Sequence, residues 1–124
     1  MNVVDSSGWL EYFIGGANES FFAPAIEEPE NVIVPTISLF EVFKRVLIEK
    51  NWNDALEAIA LMKEGRVVDL DDNLALVSAE LSFELRLPMA DSIILATARE
   101  YEATLWTQDE HFKDLPGVRY PGKG

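Results

Sequence analysis

In Pro88-Met89-Ala90-Asp91-Ser92-Ile93-Ile94-Leu95-Ala96-Thr97-Ala98, a proline, an acid and an apolar run follow one another, with Thr107-Gln108-Asp109 shortly behind. Pro88 reads as a helix start, because a proline in the first turn loses no hydrogen bond there. Asp91 then lies near the helix N-terminus, where the macrodipole favours a negative charge. Leu95 and Ala98 stand four and seven residues on, so the carboxylate tops a stripe that is otherwise apolar and core-facing. A charge at the edge of a core is costly without a partner, and a cation is the usual one. The helix is expected to end near Tyr101-Glu102. Ala103-Thr104-Leu105-Trp106 reads as a short buried strand that delivers Asp109. Two acids therefore reach one end of a sheet from adjacent elements, which points to a metal site.

The rest of the chain repeats this alternation. Val3-Val4-Asp5 predicts a buried strand ending in an acid, and Ser6 or Ser7 a cap for a helix through Ile14 that Gly15-Gly16 stops. A short helix is expected from Asn18 or Glu19 to Glu28, with Phe21, Phe22, Ala25 and Ile26 inward, then a turn at Pro29-Glu30-Asn31 and a strand at Val32-Ile33-Val34. The third helix has Thr36 or Ser38 as its expected N-cap and Leu39, Phe40, Phe43, Val46 and Leu47 as its apolar face. Glu41 lies in its first turns. Asn51-Trp52-Asn53-Asp54 opens a fourth helix, with Ala55, Leu56, Ile59, Ala60 and Met62 at helical spacing and Gly65 behind it. Val67-Val68-Asp69-Leu70 predicts a third strand. Asp71 or Asp72 caps a fifth helix to Leu85, with Leu74, Val77, Leu81 and Leu85 on one face. Glu110 to Leu115 is a turn or short helix, and Val118-Arg119-Tyr120 an edge strand before the Pro-Gly-Lys-Gly tail. Strands alternating with helices give an α/β fold with a mainly parallel sheet. No repeat or linker divides the 124 residues, so a single domain over 1–124 is expected.

Composition bounds the function. With 48% hydrophobic and 26% charged residues the chain is globular. It has no cysteine, so no disulfide framework and no thiolate metal site; a reducing cytoplasm is the expected compartment. No apolar run reaches the ~20 residues of a membrane span, and the first residues lack a signal peptide's basic and apolar segments. Net charge is −12, from 22 acids and 10 bases, which opposes long-range attraction to nucleic acid and favours cations or a basic protein partner.

Asp5, Glu41, Asp91 and Asp109 each stand at the end of a strand or the start of a helix, in four different βα units. Parallel strands ending at one sheet edge gather such residues in space. Clustered carboxylates do not all stay ionised without a compensating charge. Mg²⁺ or Mn²⁺, hard cations suited to oxygen ligands, would supply it and would activate water against a phosphodiester.

These pieces resemble the PIN-domain ribonucleases, and most of all the VapC-type toxins of toxin–antitoxin modules. The matching segments are Val3-Val4-Asp5-Ser6-Ser7, Ser38-Leu39-Phe40-Glu41-Val42, Pro88 to Ala98 around Asp91, and Leu105-Trp106-Thr107-Gln108-Asp109-Glu110-His111-Phe112. They come in the family's order and span nearly the whole chain. The resemblance implies a PIN-like α/β/α sandwich with a mainly parallel sheet of four to five strands. It implies a Mg²⁺- or Mn²⁺-dependent endoribonuclease acting on tRNA, rRNA or mRNA, with Asp5, Glu41 and Asp91 as core metal ligands. Asp109 would hold a water or a second metal, with Glu110 able to share or take its role, and Ser6 and Thr107 would support the carboxylates by hydrogen bonds. It also implies an antitoxin partner whose basic arm suits an acidic toxin, and a homodimer. RNA would then need local basic help, for which Lys44 and Arg45, one turn beyond Glu41, and Lys50 are the candidates.

Bland readings stand beside these. Taken singly, Asp5 reads as a helix cap, Glu41 as a solvated residue, Asp91 as a dipole complement and Asp109 as a turn initiator; their joint placement is what argues otherwise. His111, the only histidine, reads as structural or exposed rather than as a general base. Trp9 and Trp52 are candidate stacking platforms, Trp106 a core residue, and Trp9, Tyr12, Phe13, Phe21 and Phe22 a candidate dimer surface. Glu27, Glu28 and Glu30 read as a solvated face. A response-regulator receiver would need an acidic pair after strand one and a late lysine, and a haloacid-dehalogenase-type phosphatase an Asp-x-Asp; Asp5-Ser6-Ser7 fits neither. A catalytically silent PIN-like scaffold is the remaining alternative.

Overall fold

Five short strands carry the architecture: β1 (Asn2–Val4), β2 (Val32–Pro35), β3 (Arg66–Val68), β4 (Thr104–Trp106) and β5 (Val118–Arg119). A computed structural model describes residues 1–122; Lys123 and Gly124, the end of the expected tail, lie outside the described residues. The strands form one sheet in the order β3-β2-β1-β4-β5, every neighbouring pair parallel. Parallel strands need helical crossovers, supplied by α1 (Ser6–Ile14), α2 (Glu19–Ile26), α3 (Thr36–Glu49), α4 (Trp52–Met62), α5 (Asp72–Leu85) and α6 (Met89–Glu100).

Both faces of the sheet are covered. Because successive side chains alternate across a strand, Val4, Val32, Val34 and Trp106 pack with α1 to α4 in one apolar core. Val3, Ile33 and Leu105 pack with α5 and α6 in the other. This is the expected α/β/α sandwich, with a sheet that is wholly rather than mainly parallel. From central β1 the chain turns to β2 on one side, and β4 enters on the other. The crevice where strand order reverses thus opens at the carboxyl ends of β1 and β4, the usual ligand edge of such sheets.

Several local expectations are corrected. Asp5, not Ser6 or Ser7, caps α1: it is extended (φ −61°, ψ 154°) and its own carboxylate accepts the Ser6 N–H. Pro35, not Thr36 or Ser38, caps α3, with no side-chain hydrogen bond, because strand and helix join without an intervening residue. The buried stripe of α3 is Ser38, Val42 and Val46, an i, i+4 series that turns Phe40 outward, 62% exposed. In α4 the buried set is Ala55, Ala58 and Met62, with Leu56 exposed; in α5 it is Leu74, Ser78 and Leu81, with Val77 and Leu85 exposed. Strand β3 starts one residue earlier than expected and stops at Val68, and α2 ends at Ile26 rather than Glu28. Trp9, at 2% exposure, and Phe22 are sealed in the core, so neither is a stacking platform or part of a dimer surface. Trp52 is exposed beside Phe43.

Candidate active site

Asp5 leaves the end of β1 as the last residue held by the β1–β4 ladder, its N–H donating to Trp106 O at 2.9 Å. Asp5 is only 3% exposed, and every side-chain or backbone donor to its carboxylate is local or comes from the residue that follows β4. Ser6 N–H donates to Oδ1 at 2.8 Å; Ser7 Oγ and Thr107 Oγ1 donate to Oδ2 at 2.8 and 2.9 Å. Ser6 Oγ turns the other way and donates to Glu41 Oε1 at 2.7 Å, tying α3 to the start of α1. Thr107 Oγ1 also accepts the Asp109 N–H at 2.9 Å. Asp109 in turn caps the 3-10 turn Glu110–Phe112 by accepting the His111 N–H at 2.9 Å. His111 Nδ1 closes the series, 2.9 Å from Asp91 Oδ2 on the first turn of α6. A continuous hydrogen-bonded chain therefore runs Glu41–Ser6–Asp5–Thr107–Asp109–His111–Asp91.

Asp5, Glu41, Asp91 and Asp109, drawn from four separate βα units, line one cleft of about 470 Å³ together with Ser6, Lys44 and Arg45. Glu110 is exposed and does not line it. Lys50 falls away from the acids and borders a separate groove with Glu49 and Asp54. Two participants were missed by sequence reasoning. Ser7 faces Asp5 rather than capping the helix, and no signal in the sequence separates it from Ser6. His111 is exposed, as expected, but its ring is also bound to the acids; its signal was its place two residues after an acid that caps a turn.

The electrostatics follow from burial. Desolvation pushes the Asp5 carboxyl up to about 6, with Asp91 and Asp109 adding repulsion and the Ser7 and Thr107 hydroxyls opposing it. Asp91 is also raised, chiefly by desolvation and then by the charges of Asp109 and Glu41, against the hydrogen bond from His111. The hydrogen bond to Asp91, and then the charge of Asp109, raise His111 above the ordinary imidazole value. Each shift marks a place where negative charge lacks compensation. Hard oxygen donors converging on a cleft, one of them buried and reluctant to ionise, fit a Mg²⁺- or Mn²⁺-sized cation.

A family model for the PIN domain matches residues 3–118. The chain belongs to the PIN-domain family. Solved structures repeat the fold of this PIN domain closely. A toxin–antitoxin complex from Klebsiella pneumoniae superposes with a TM-score of 0.83 at 23% identity, covering 98% of each chain. VapC20 from Mycobacterium tuberculosis, described as a sarcin–ricin-loop-cleaving toxin, gives 0.76 at 20% identity over 91% of this PIN domain and 93% of that chain. DNA-bound VapBC from Salmonella typhimurium gives 0.74 at 15% identity over 96% and 95%. Comparison with curated proteins finds no match. Among the described residues, no helix is long and apolar enough to cross a membrane.

Proposed function

We propose that this PIN domain is a metal-dependent endoribonuclease and the toxin of a toxin–antitoxin pair. The observation that carries the reading is the continuous hydrogen-bonded chain that fixes four carboxylates around one cleft at the β1/β4 crevice. A buried carboxylate raised to about 6 beside a cleft that other acids line is the kind of group that gathers at functional sites. The toxins among its structural neighbours support the same class.

Asp5, Glu41, Asp91 and Asp109 are the proposed holders of Mg²⁺ or Mn²⁺. When bound, the ion supplies positive charge for the phosphodiester and acidifies a water. The chain's own residues do the rest. Ser6, Ser7 and Thr107 hold both carboxylate oxygens of Asp5, and Ser6 Oγ holds Oε1 of Glu41, so these acids present a fixed direction rather than a rotamer ensemble. Lys44 and Arg45, which line the cleft within a turn of Glu41, are the proposed phosphate contacts on tRNA, rRNA or mRNA. A net charge of −12 keeps non-specific RNA affinity low and suits an antitoxin with a basic arm that reaches the acids. Homodimerisation and a cytoplasmic location belong to the same reading.

The test is cleavage of a folded tRNA and rRNA pool with Mg²⁺, with Mn²⁺ and with EDTA, beside Asp91→Asn. Discrete cuts that vanish with EDTA and in the variant are expected. Silence of the wild type with either metal, while an ion still binds, would turn the reading to a binding module.

A further inference from the structure

His111 sets an imidazole nitrogen against two of the carboxylates. Its Nδ1 lies 2.9 Å from Asp91 Oδ2 and 3.2 Å from Asp109 Oδ1. One donor atom from each of the three residues falls within 4.8 Å of the other two. Donors side by side on one ion, each about 2.1 Å from it, are about 3 Å apart. The two spacings around Nδ1 match that edge. They also match hydrogen bonds, so the arrangement suits a proton in one state and an ion in another.

The backbone explains why the ring is there. Asp109 holds the His111 N–H, and Phe112, the next residue, is fully buried beneath the turn. With its own N–H and the next residue fixed, the imidazole is set against Asp91 and Asp109, two of the acids that line the cleft, although 55% of the side chain is exposed. The residue type matters as well. Another acid at this position would add a further negative charge to the four carboxylates already gathered here, whereas a neutral imidazole adds a donor and no charge.

We propose that His111 Nδ1 is a direct ligand of the divalent ion shared with Asp91 and Asp109, and that this nitrogen biases the site toward Mn²⁺ over Mg²⁺. The inference rests on the metal reading of the cleft given above. Imidazole suits transition-metal ions, while Mg²⁺ is served by oxygen donors and retained waters. Ligation uses the Nδ1 lone pair. An imidazolium would release its Nδ1 proton to solvent on ligation and keep its hydrogen on Nε2, whereas a neutral Nδ1–H ring would move its hydrogen to Nε2 and release none.

The experiment loads the purified full chain with Mn²⁺ alone and reads nitrogen coupling by pulsed electron paramagnetic resonance. Mn²⁺ and Mg²⁺ affinities are measured by calorimetry for the wild type, His111→Gln and Asp91→Asn. The wild type is expected to show a directly bound nitrogen that His111→Gln lacks. That variant, which offers an amide oxygen instead, is expected to lose about tenfold or more in Mn²⁺ affinity and less than about threefold for Mg²⁺. Absence of nitrogen coupling in the wild type overturns the proposal and needs no variant to fold. Tighter binding of both ions by His111→Gln also overturns it, since that is what an imidazolium merely competing for the acids produces. If Mn²⁺ binds without nitrogen and Asp91→Asn abolishes the binding, the acid site stands and only the histidine ligand falls. If no Mn²⁺ binds at all, both readings fall.

Discussion

Thr107 Oγ1 donates to Asp5 Oδ2 at 2.9 Å across 102 residues of sequence, and the same oxygen accepts the Asp109 N–H at 2.9 Å. One fully buried hydroxyl thus serves two acids at once. Thr107→Val keeps the volume but leaves a buried carboxylate short of a donor and a backbone N–H without an acceptor. Leaving such groups unsatisfied costs about 1–3 kcal/mol. Urea denaturation is expected to show a loss of that size for Thr107→Val and a small one for Thr107→Ser. Equal stability of Thr107→Val and wild type would mean that the hydroxyl is replaceable by water.

Asp5 binds its proton more tightly in the folded chain, at about 6, than in the unfolded chain, at 3.8. A group raised in this way stabilises the fold when protonated. The contribution is complete below the unfolded value and is lost as pH rises through the folded one. The shift corresponds to on the order of 3 kcal/mol. In EDTA the melting temperature should therefore fall between pH 4 and pH 7. Asp5→Asn, which has no carboxyl to ionise, should flatten that slope and melt higher than wild type at pH 7 while losing divalent-ion binding. A pH-independent wild-type melt would remove the basis for regarding Asp5 as an uncompensated charge.

The order of strands and helices was legible because short β-branched runs punctuated by prolines, glycines and capping acids leave few alternatives. The placement of Asp5, Asp91 and Asp109 at element ends, and of Glu41 in the second turn of α3, was legible for the same reason: topology alone carries such residues to one edge. Which face of a helix is buried was less so. In α3 the apolar residues outnumber the positions the sheet covers, and the buried stripe runs through Ser38 rather than Phe40. A buried serine carries no hydropathy signal, and an exposed phenylalanine gives a misleading one. The His111 contact was hidden for a different reason. It depends on the direction in which a three-residue 3-10 turn aims a side chain, and periodicity has nothing to say about a segment that short.

Gly8 sits in the first turns of α1, where alanine would ordinarily gain about 1 kcal/mol of helix propensity. A Cβ there would stand 2.6 Å from Phe22 Cε1 and 2.8 Å from Val4 Cγ1. Both side chains are fully buried and have no room to retreat. Overpacking of this kind costs about 1–3 kcal/mol, so the clash outweighs the propensity gain. Gly8→Ala is expected to destabilise the fold and, by shifting the turn that carries Asp5, Ser6 and Ser7, to weaken Mn²⁺ binding in parallel. A more stable variant on thermal melting would show that α1 slides freely over the sheet.

Lys44 and Arg45 are held only lightly. Lys44 Nζ lies 5.9 Å from the centre of the exposed Phe40 ring, and Arg45 makes a 3.8 Å ion pair with Glu49 in which both partners are exposed. Exposed pairs of this kind contribute little to stability. Both cations line the acid cleft and can turn into it at small cost. Replacing both with alanine should leave the melting temperature nearly unchanged. It should weaken binding of single-stranded RNA, measured by fluorescence anisotropy in the Asp91→Asn background so that no cleavage intervenes. Each phosphate contact contributes about 0.7 to the slope of log affinity against log salt on single strands, so losing two should reduce the slope by about 1.4. A weaker affinity with an unchanged slope would assign the loss to stacking of the Arg45 guanidinium on a base rather than to phosphate contact, because stacking releases no counterions.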